Sequence, residues 1–272
     1  MIEFGEVDTL IDLLEKTQRK AIINGKLMPQ VKSCVIHFSD DGIAETTMIV
    51  RDGKTSVATF RAECEKHKAG SVVIPDIETA LGVLKMFPRK RPIGVIKVDS
   101  GLRFKSTGKQ TTITADERAL AFPHTQKTVR EWCIDSKVKM GCMTDSVGYK
   151  MRDGNVRLPM FSCAVYGSRV KDALKMSSMN GQKTARFTLR NDSEGVHIEV
   201  GSSLQGRTVS DVDCEVFKDV YGEWVFEGGL ENVLEDGEIR LQIIDFTPEN
   251  QGYIMLIRSP SQEIMLRSVF TA

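Results

Sequence analysis

The stretch Val72–Pro92, VVIPDIETALGVLKMFPRKRP, contains a strand-like run, an apolar helical pattern and a basic segment. Its periodicity predicts a short strand followed by a helix from Pro75 to Phe87, with Pro75 at the first helical position and Pro88 ending the helix. Four cations stand between positions 85 and 91, although the chain as a whole has 37 basic and 37 acidic residues. Because a basic stripe can coexist with an acidic remainder, the local charge indicates more about partners than the net charge does.

The composition is that of a soluble globular protein. Apolar residues make up 41% of the chain and charged residues 27%. A length of 272 residues suits one large domain or two ordinary ones. There is no apolar run of 18 residues, and the opening MIEFGEVDTL lacks the basic n-region of a signal peptide. We therefore expect a cytoplasmic protein that does not engage a membrane.

Cysteine and histidine residues are scattered along the chain. No CxxC pair occurs among the six cysteines, and the four histidines are equally dispersed, so no metal and no cofactor are expected. Motifs of catalysis are absent as well, including GxxxxGK[ST], GxGxxG, GxSxG and HExxH. The carboxylate pairs Asp40–Asp41 and Asp211–Asp213 fall in predicted turns and are interpreted as solvated residues, so no catalytic residue is assigned and no enzymatic activity is expected.

The order of predicted elements repeats along the chain. A helix over Val7–Lys20 precedes a strand, turn and strand around Gly42, and a helix from Ser168 precedes the same pattern around Gly195. The offset between the two glycines is 195 − 42 = 153 residues, and that between Asp76 and Glu227, at the two second helices, is 227 − 76 = 151. Two similar offsets predict a duplicated α+β unit with two helices packed on antiparallel sheets.

Cations recur on the predicted helices. Lys16, Arg19 and Lys20 are spaced to share one side of the first helix, and Lys171 and Lys175 share one side of the helix from Ser168. Taken singly, each is interpreted as an ordinary solvated side chain. Their recurrence predicts a surface that contacts phosphates without reading bases, although the fourth helix, at about 227–237, is acidic. The cations assigned to this surface are Lys16, Arg19, Lys20, Lys85, Arg89, Lys90, Arg91, Arg169, Lys171 and Lys175.

Several stretches resemble the DNA sliding clamps, the ring-shaped processivity factors of replicative polymerases. FSCAVYGSRVKDALKMSSMNGQKTARFTLRNDSEGVHIEV is similar to the opening helix and first hairpin of a clamp domain, and VVIPDIETALGVLKMF to a second helix. LQGRTVSDVDCEVF and GYIMLIRS resemble late strands of a second domain. The similarity covers most of the chain and is greatest to the two-domain clamps of T4-like phages.

The resemblance implies a ring-forming homotrimer of head-to-tail chains, with two tandem clamp-type domains in each. Its helices would line a pore around double-stranded DNA, which the ten cations would contact without sequence preference. DNA polymerase and a clamp loader would be partners, and a phage-infected bacterium the host. The resemblance also implies a pocket for partner peptides at Phe122, Pro123, Val269 and Phe270, for which plain sheet core is an equal interpretation.

The predicted domain boundaries are 1–122 for the first clamp domain, 123–159 for a connector with a hairpin insertion, and 160–272 for the second domain. Alternatives stay open at this point. The chain could be a monomeric clamp-like processivity factor, one subunit of a heteromeric clamp, or a thiol-dependent enzyme that uses Cys133 or Cys142 in the connector.

Overall fold

The computed structural model divides the chain into two compact units. Unit 1 comprises residues 1–49 and 58–130, and unit 2 comprises residues 50–57 and 131–272. No helix among the described residues is long and apolar enough to cross a membrane. The structure describes residues 1–18, 20–23, 26–29, 31–51, 55–65, 68–115, 149–150, 156–179, 186–202, 206–227, 234–247 and 252–268.

Unit 1 contains two helices, two four-stranded antiparallel arrangements and a small hairpin. The helices are α1 (Val7–Gln18) and α2 (Ile77–Leu84). The strands are β1 (Ile2–Phe4), β2 (Lys20–Ile23), β3 (Lys26–Pro29), β4 (Cys34–Phe38), β5 (Ile43–Arg51), β6 (Thr55–Glu63), β7 (Gly70–Ile74), β8 (Ile93–Val98), β9 (Gly101–Ser106) and β10 (Lys109–Thr114), although the adjoining ends of β5 and β6 are counted in unit 2. One arrangement has the order β1-β8-β9-β10 and the other the order β6-β5-β4-β7, while β2 pairs with β3.

The core of unit 1 forms where the apolar stripes of the helices meet the inner faces of the strands. Leu10 and Leu14 of α1 and Leu84 of α2 are fully buried. On the strands, Val95 and Phe104 stand opposite each other in register and are also fully buried. Helix α2 begins after Asp76, whose carboxylate accepts a hydrogen bond from the N–H of Thr79 at 2.9 Å, as an N-cap does.

Unit 2 repeats this plan. Its described helix is α3 (Gly167–Met179). The strands are β11 (Tyr149–Lys150), β12 (Val156–Arg157), β13 (Phe161–Tyr166), β14 (Arg186–Asp192), β15 (Gly195–Ser202), β16 (Gly206–Asp211), β17 (Cys214–Lys218), β18 (Gly222–Glu227), β19 (Glu238–Asp245), β20 (Tyr253–Ser259) and β21 (Gln262–Arg267). The short strands β11 and β12 pair as a hairpin.

The strand orders of the two units agree. In unit 2 the orders are β13-β19-β20-β21, with β17 added beside β13, and β16-β15-β14-β18. These match β1-β8-β9-β10 and β6-β5-β4-β7 strand for strand. The glycines that defined the repeat also correspond, because Gly42 (φ 83°) and Gly195 (φ 129°) both adopt positive φ at the turn of the first hairpin. This agreement supports the duplication predicted from the sequence.

Aromatic rings fill the core of unit 2. Phe161 and Trp224 lie with ring centroids 5.4 Å apart, and Phe187 and Phe226 with centroids 5.8 Å apart. All four side chains are buried. Phe187 and Phe226 also stand opposite each other in the β14–β18 register, so strand pairing and ring packing position the same residues.

The structure corrects two predicted helices. Helix α1 ends at Gln18 rather than Lys20, because Lys20 begins β2 and pairs with Pro29 of β3. The β-branched Ile22 and Ile23, followed by the hairpin dipeptide Asn-Gly, favour this hairpin over a longer helix. Helix α2 begins at Ile77 rather than Pro75, because Asp76 takes the capping position, and it ends at Leu84 rather than Phe87, with Lys85 as its C-cap.

Other predictions fall partly outside the described residues. Most of the predicted fourth helix lies in the undescribed segment 228–233, so the second helix of unit 2 stays a prediction. Most of the connector is likewise outside the described residues. The boundaries 1–122, 123–159 and 160–272 therefore stay a prediction.

Candidate nucleic-acid interface

The basic segment after α2 is attached to the start of α1. The N–H of Val7 donates to the carbonyl oxygen of Arg91 at 3.0 Å, and the N–H of Asp8 donates to that of Arg89 at 3.2 Å. The first N–H groups of a helix lack partners within the helix, so these bonds satisfy donors that would otherwise need water or a cap. The basic segment therefore acts as a backbone cap for α1.

Three of the four cations in this segment have carboxylate partners on or beside α1. Arg89 Nη1 lies 2.9 Å from Asp8 Oδ1, and Lys90 Nζ lies 2.9 Å from Glu6 Oε2. The hydrogen bond and the charge of Glu6 raise the pKa of Lys90, so Lys90 keeps its charge. Lys85 Nζ is 3.5 Å from Glu15 Oε1, with both side chains about half exposed. Partners of opposite sign reduce the potential that this segment presents to an anion.

Unit 2 attaches the start of α3 in the same way. The N–H of Gly167 donates to the carbonyl oxygen of Gly237 at 2.8 Å, and that of Ser168 donates to the carbonyl of Asp236 at 3.3 Å. Here the charges are reversed, because Lys171 of the helix pairs with Asp236 of the loop at 2.7 Å. The Lys171 ammonium lowers the pKa of the Asp236 carboxyl.

Among the predicted cations whose side chains the structure describes, Arg91 and Arg169 remain available. Both side chains are exposed, Arg91 at the end of the basic segment and Arg169 in the first turn of α3. Neither has an ion-pair partner among the described residues. Lys175 is also exposed, but its Nζ lies 3.6 Å from Asp172 Oδ1. Each unit thus presents one of the predicted arginines with a charge that no described carboxylate offsets.

The remaining predicted residues are placed only in part. Lys16 is half-buried in the last turn of α1, and Lys20 lies in β2, where its side chain is not described. Arg19 and the four residues of the predicted peptide pocket, Phe122, Pro123, Val269 and Phe270, lie outside the described residues. Their roles stay predictions.

Sequence reasoning missed the acidic partners of the basic segment. Glu6 and Asp8 were visible at the start of the first helix, where negative charge is favourable, but they are about 80 residues away from Lys90 and Arg89 in the chain. Pairing over such a separation leaves no periodic signal. The only hint in the sequence is that acids stand at the start of the first helix and cations follow the second.

The thiol hypothesis depends on residues that the structure does not describe. Cys133 and Cys142 lie outside the described residues. Of the described cysteines, burial raises the pKa of Cys34, and burial and nearby carboxylates raise the pKa of Cys64 to about 11. The hydrogen bond from the Cys163 thiol lowers the pKa of Cys214. Cys34 and Cys64 are therefore poor nucleophiles at neutral pH.

Comparison with known proteins identifies the architecture. No family model matches the chain, and no curated protein does so. Among solved structures, the DNA polymerase sliding clamp of Bacillus subtilis aligns over 100% of this chain and 64% of its own, with a TM-score of 0.64 and 15% identity. The DNA polymerase III beta subunit of Thermotoga maritima aligns over 100% of this chain and 66% of its own, with a TM-score of 0.62 and 13% identity.

A third match points to the same architecture. The beta sliding clamp of C. crescentus aligns over 99% of this chain and 66% of its own, with a TM-score of 0.60 and 13% identity. The chain thus spans about two thirds of the length of each of these proteins. Identities this low establish shared architecture rather than shared activity. The chain has the fold of the DNA polymerase sliding clamps, built here from two units with the same strand order.

Proposed function

We propose that this chain is the subunit of a DNA sliding clamp, a non-catalytic ring that encircles duplex DNA and tethers a replicative DNA polymerase. The observation that carries the proposal is the likeness to sliding clamps over the whole chain, together with the strand order repeated in both units. A ring needs no base-specific contact, since topology retains it on DNA and raises the effective concentration of whatever it tethers.

The proposed ring contains three copies of the chain. The chain spans 64% of the Bacillus subtilis clamp and 66% of the Thermotoga maritima subunit, so each of those chains is about one and a half times as long. A ring of six equal units would then require three chains of two units. Such a trimer closes head to tail, through two different surfaces on each subunit.

Two edge strands are suited to this head-to-tail contact. β10 of unit 1 and β16 of unit 2 are each six residues long and pair with one neighbour among the described strands. Both are half-buried or exposed wherever their side chains are described. Edge strands with free N–H and C=O groups pair readily with another chain. We infer that β10 of one subunit pairs with β16 of the next.

A proline at Thr112 should abolish the trimer and leave the subunit folded. Ser106 and Lys109 flank a two-residue turn and form a hydrogen-bonded pair, so the alternation along β10 directs the N–H of Thr112 away from β9. Light scattering across a dilution series should give about three times 30.3 kDa for the unmodified chain and about 30.3 kDa for Thr112→Pro.

The neighbouring substitution Thr111→Pro is the matched control. The N–H of Thr111 points toward Phe104 of β9, so a proline there should lower the stability of the subunit itself. A single-chain mass for the unmodified protein at every concentration would refute the homotrimer and favour a monomeric factor or one subunit of a heteromeric clamp. A trimeric Thr112→Pro would show that β10 is not the contact.

Removing the available arginines should weaken retention on DNA. The double variant Arg91→Gln/Arg169→Gln should dissociate faster from closed circular DNA, with a shallower dependence on salt, because fewer phosphate contacts release fewer counterions. Lys105→Gln is the control. Lys105 follows the buried Phe104 on β9, so its side chain points to the face of the sheet opposite that of Phe104. Equal retention of both variants and the unmodified ring would contradict the assignment of Arg91 and Arg169.

The loader, the peptide pocket and the host that the resemblance implies belong to the same proposal. We propose that a clamp loader opens the ring, that partner peptides bind at Phe122, Pro123, Val269 and Phe270, and that the protein acts in a phage-infected bacterium. Crosslinking of a polymerase C-terminal peptide to these four positions tests the pocket. Crosslinks confined to other residues would place the peptide site elsewhere.

A further inference from the structure

Strand β15 contains, close to its turn with β14, a histidine that is not fully hydrogen-bonded. His197 is only 5% exposed, and its Nδ1 lies 2.8 Å from Asp211 Oδ1 at the end of β16. A carboxylate only accepts hydrogen bonds, so Nδ1 carries the proton and donates to Asp211. The other nitrogen, Nε2, is buried and has no hydrogen-bond partner among the described residues.

The free nitrogen lies near the Asp192 carboxylate, in a group of potential ligands that also contains Glu194. His197 Nε2 lies 3.4 Å from Asp192 Oδ1, and ligand atoms of Asp192, Glu194 and His197 all lie within 4.8 Å of one another. Two ligand atoms bound at about 2.1 Å to a tetrahedral Zn²⁺ are themselves about 3.4 Å apart. The spacing of Nε2 and Oδ1 is therefore that of two ligands on one metal.

The surrounding charges favour a divalent cation. Arg190 bridges Asp192 and Glu199 at 2.9 and 3.0 Å, and Arg207 also pairs with Glu199. Five carboxylates surround two guanidinium groups, so the cluster is net negative and favours a bound cation. The carboxylates are Asp192, Glu194, Glu199, Asp211 and Glu223, and the guanidinium groups are those of Arg190 and Arg207.

We propose that Asp192, Glu194 and His197 bind a divalent transition-metal ion, Zn²⁺ or one of similar ligand preference. His197 Nε2 and one oxygen of each carboxylate are the protein ligands, and water completes the coordination. Asp211 holds the imidazole in the required tautomer, as carboxylates beside metal-bound histidines do. A nitrogen ligand disfavours Mg²⁺ and Ca²⁺, which prefer oxygen alone. The bound ion would connect the β14–β15 turn to the end of β16.

The test is Zn²⁺ and Co²⁺ binding to the full-length chain after dialysis against a chelator. We expect one saturable Zn²⁺ site per chain by competition with a chromophoric chelator, and a rise in the melting temperature with Zn²⁺. Co²⁺ should give the visible absorption of a nitrogen and oxygen site without thiolate charge-transfer bands. Asp211→Asn should weaken Zn²⁺ binding by about 10- to 100-fold, because only the orientation of the imidazole is lost.

Three further variants make the result decisive. His197→Gln should abolish the site, and Glu194→Gln, at an exposed residue that does not endanger folding, should weaken it. Glu215→Gln, an equal loss of charge at an exposed position on β17, should leave binding unchanged. The proposal is overturned by absence of a saturable site, by thiolate bands with Co²⁺, or by undiminished binding in His197→Gln.

Discussion

Replacing Phe104 by alanine should cost about 4 kcal/mol of folding free energy. The side chain is fully buried on β9, opposite Val95 of β8, where a truncated side chain leaves a cavity in the core of unit 1. Urea unfolding followed by circular dichroism measures the change. Packing on this face does not depend on DNA or on assembly. The loss of folding free energy should therefore be the same with and without DNA, and in the assembled and unassembled chain.

The neighbouring residue is the control for this variant. Lys105 occupies the opposite face of β9 and is exposed, so Lys105→Ala should change stability by no more than about 0.5 kcal/mol. Similar losses in Phe104→Ala and Lys105→Ala would mean that the two faces of β9 are not divided between core and solvent as described.

Replacing Gly167 by alanine should destabilise unit 2 by about 3 kcal/mol. A Cβ atom at this position would lie far inside van der Waals distance of the carbonyl oxygen of Glu235. The obstacle is backbone, so a side-chain rotation cannot relieve it. Moving the helix away would also lengthen the hydrogen bonds from Gly167 and Ser168 to the loop. Fluorescence of the buried Trp224 during urea unfolding reports on this unit.

Gly82→Ala is the matched control because the same substitution should act in the opposite direction there. Gly82 lies inside α2 and is exposed, and no heavy atom of the described residues comes within 4 Å of a Cβ added to it. Alanine in an exposed helix interior should stabilise by about 0.5 to 1 kcal/mol. A neutral Gly167→Ala beside a stabilising Gly82→Ala would show that α3 does not depend on its close approach to Glu235.

The sequence predicted most strands because their signals are local. The runs IGVIKV and EIRLQIID coincide with β8 and β19, since a run of apolar and β-branched residues depends only on neighbours in the chain. Turn glycines were equally visible, and Gly42 and Gly195 revealed the repeat. The β2–β3 hairpin was missed although its Asn-Gly dipeptide was present, because the cations around Lys20 were interpreted as helical.

The candidate DNA surface was predicted as a set of cations, and the tertiary structure decided which of them are available. Asp8 meets Arg89 across 81 residues of sequence and Lys171 meets Asp236 across 65, and neither pairing has a local signature. His197 and Asp211 are likewise 14 residues apart and meet only because β15 pairs with β16.

By itself, the sequence determined the two-fold repeat, most of the strands and the chemical character of each segment, because these depend on periodicity and turn residues. Only the tertiary structure decided which charges cancel, which glycine lies against a backbone carbonyl, and which polar atoms converge. Those outcomes depend on contacts between residues far apart in the chain, where small differences in strand register or helix length change the partner of every side chain.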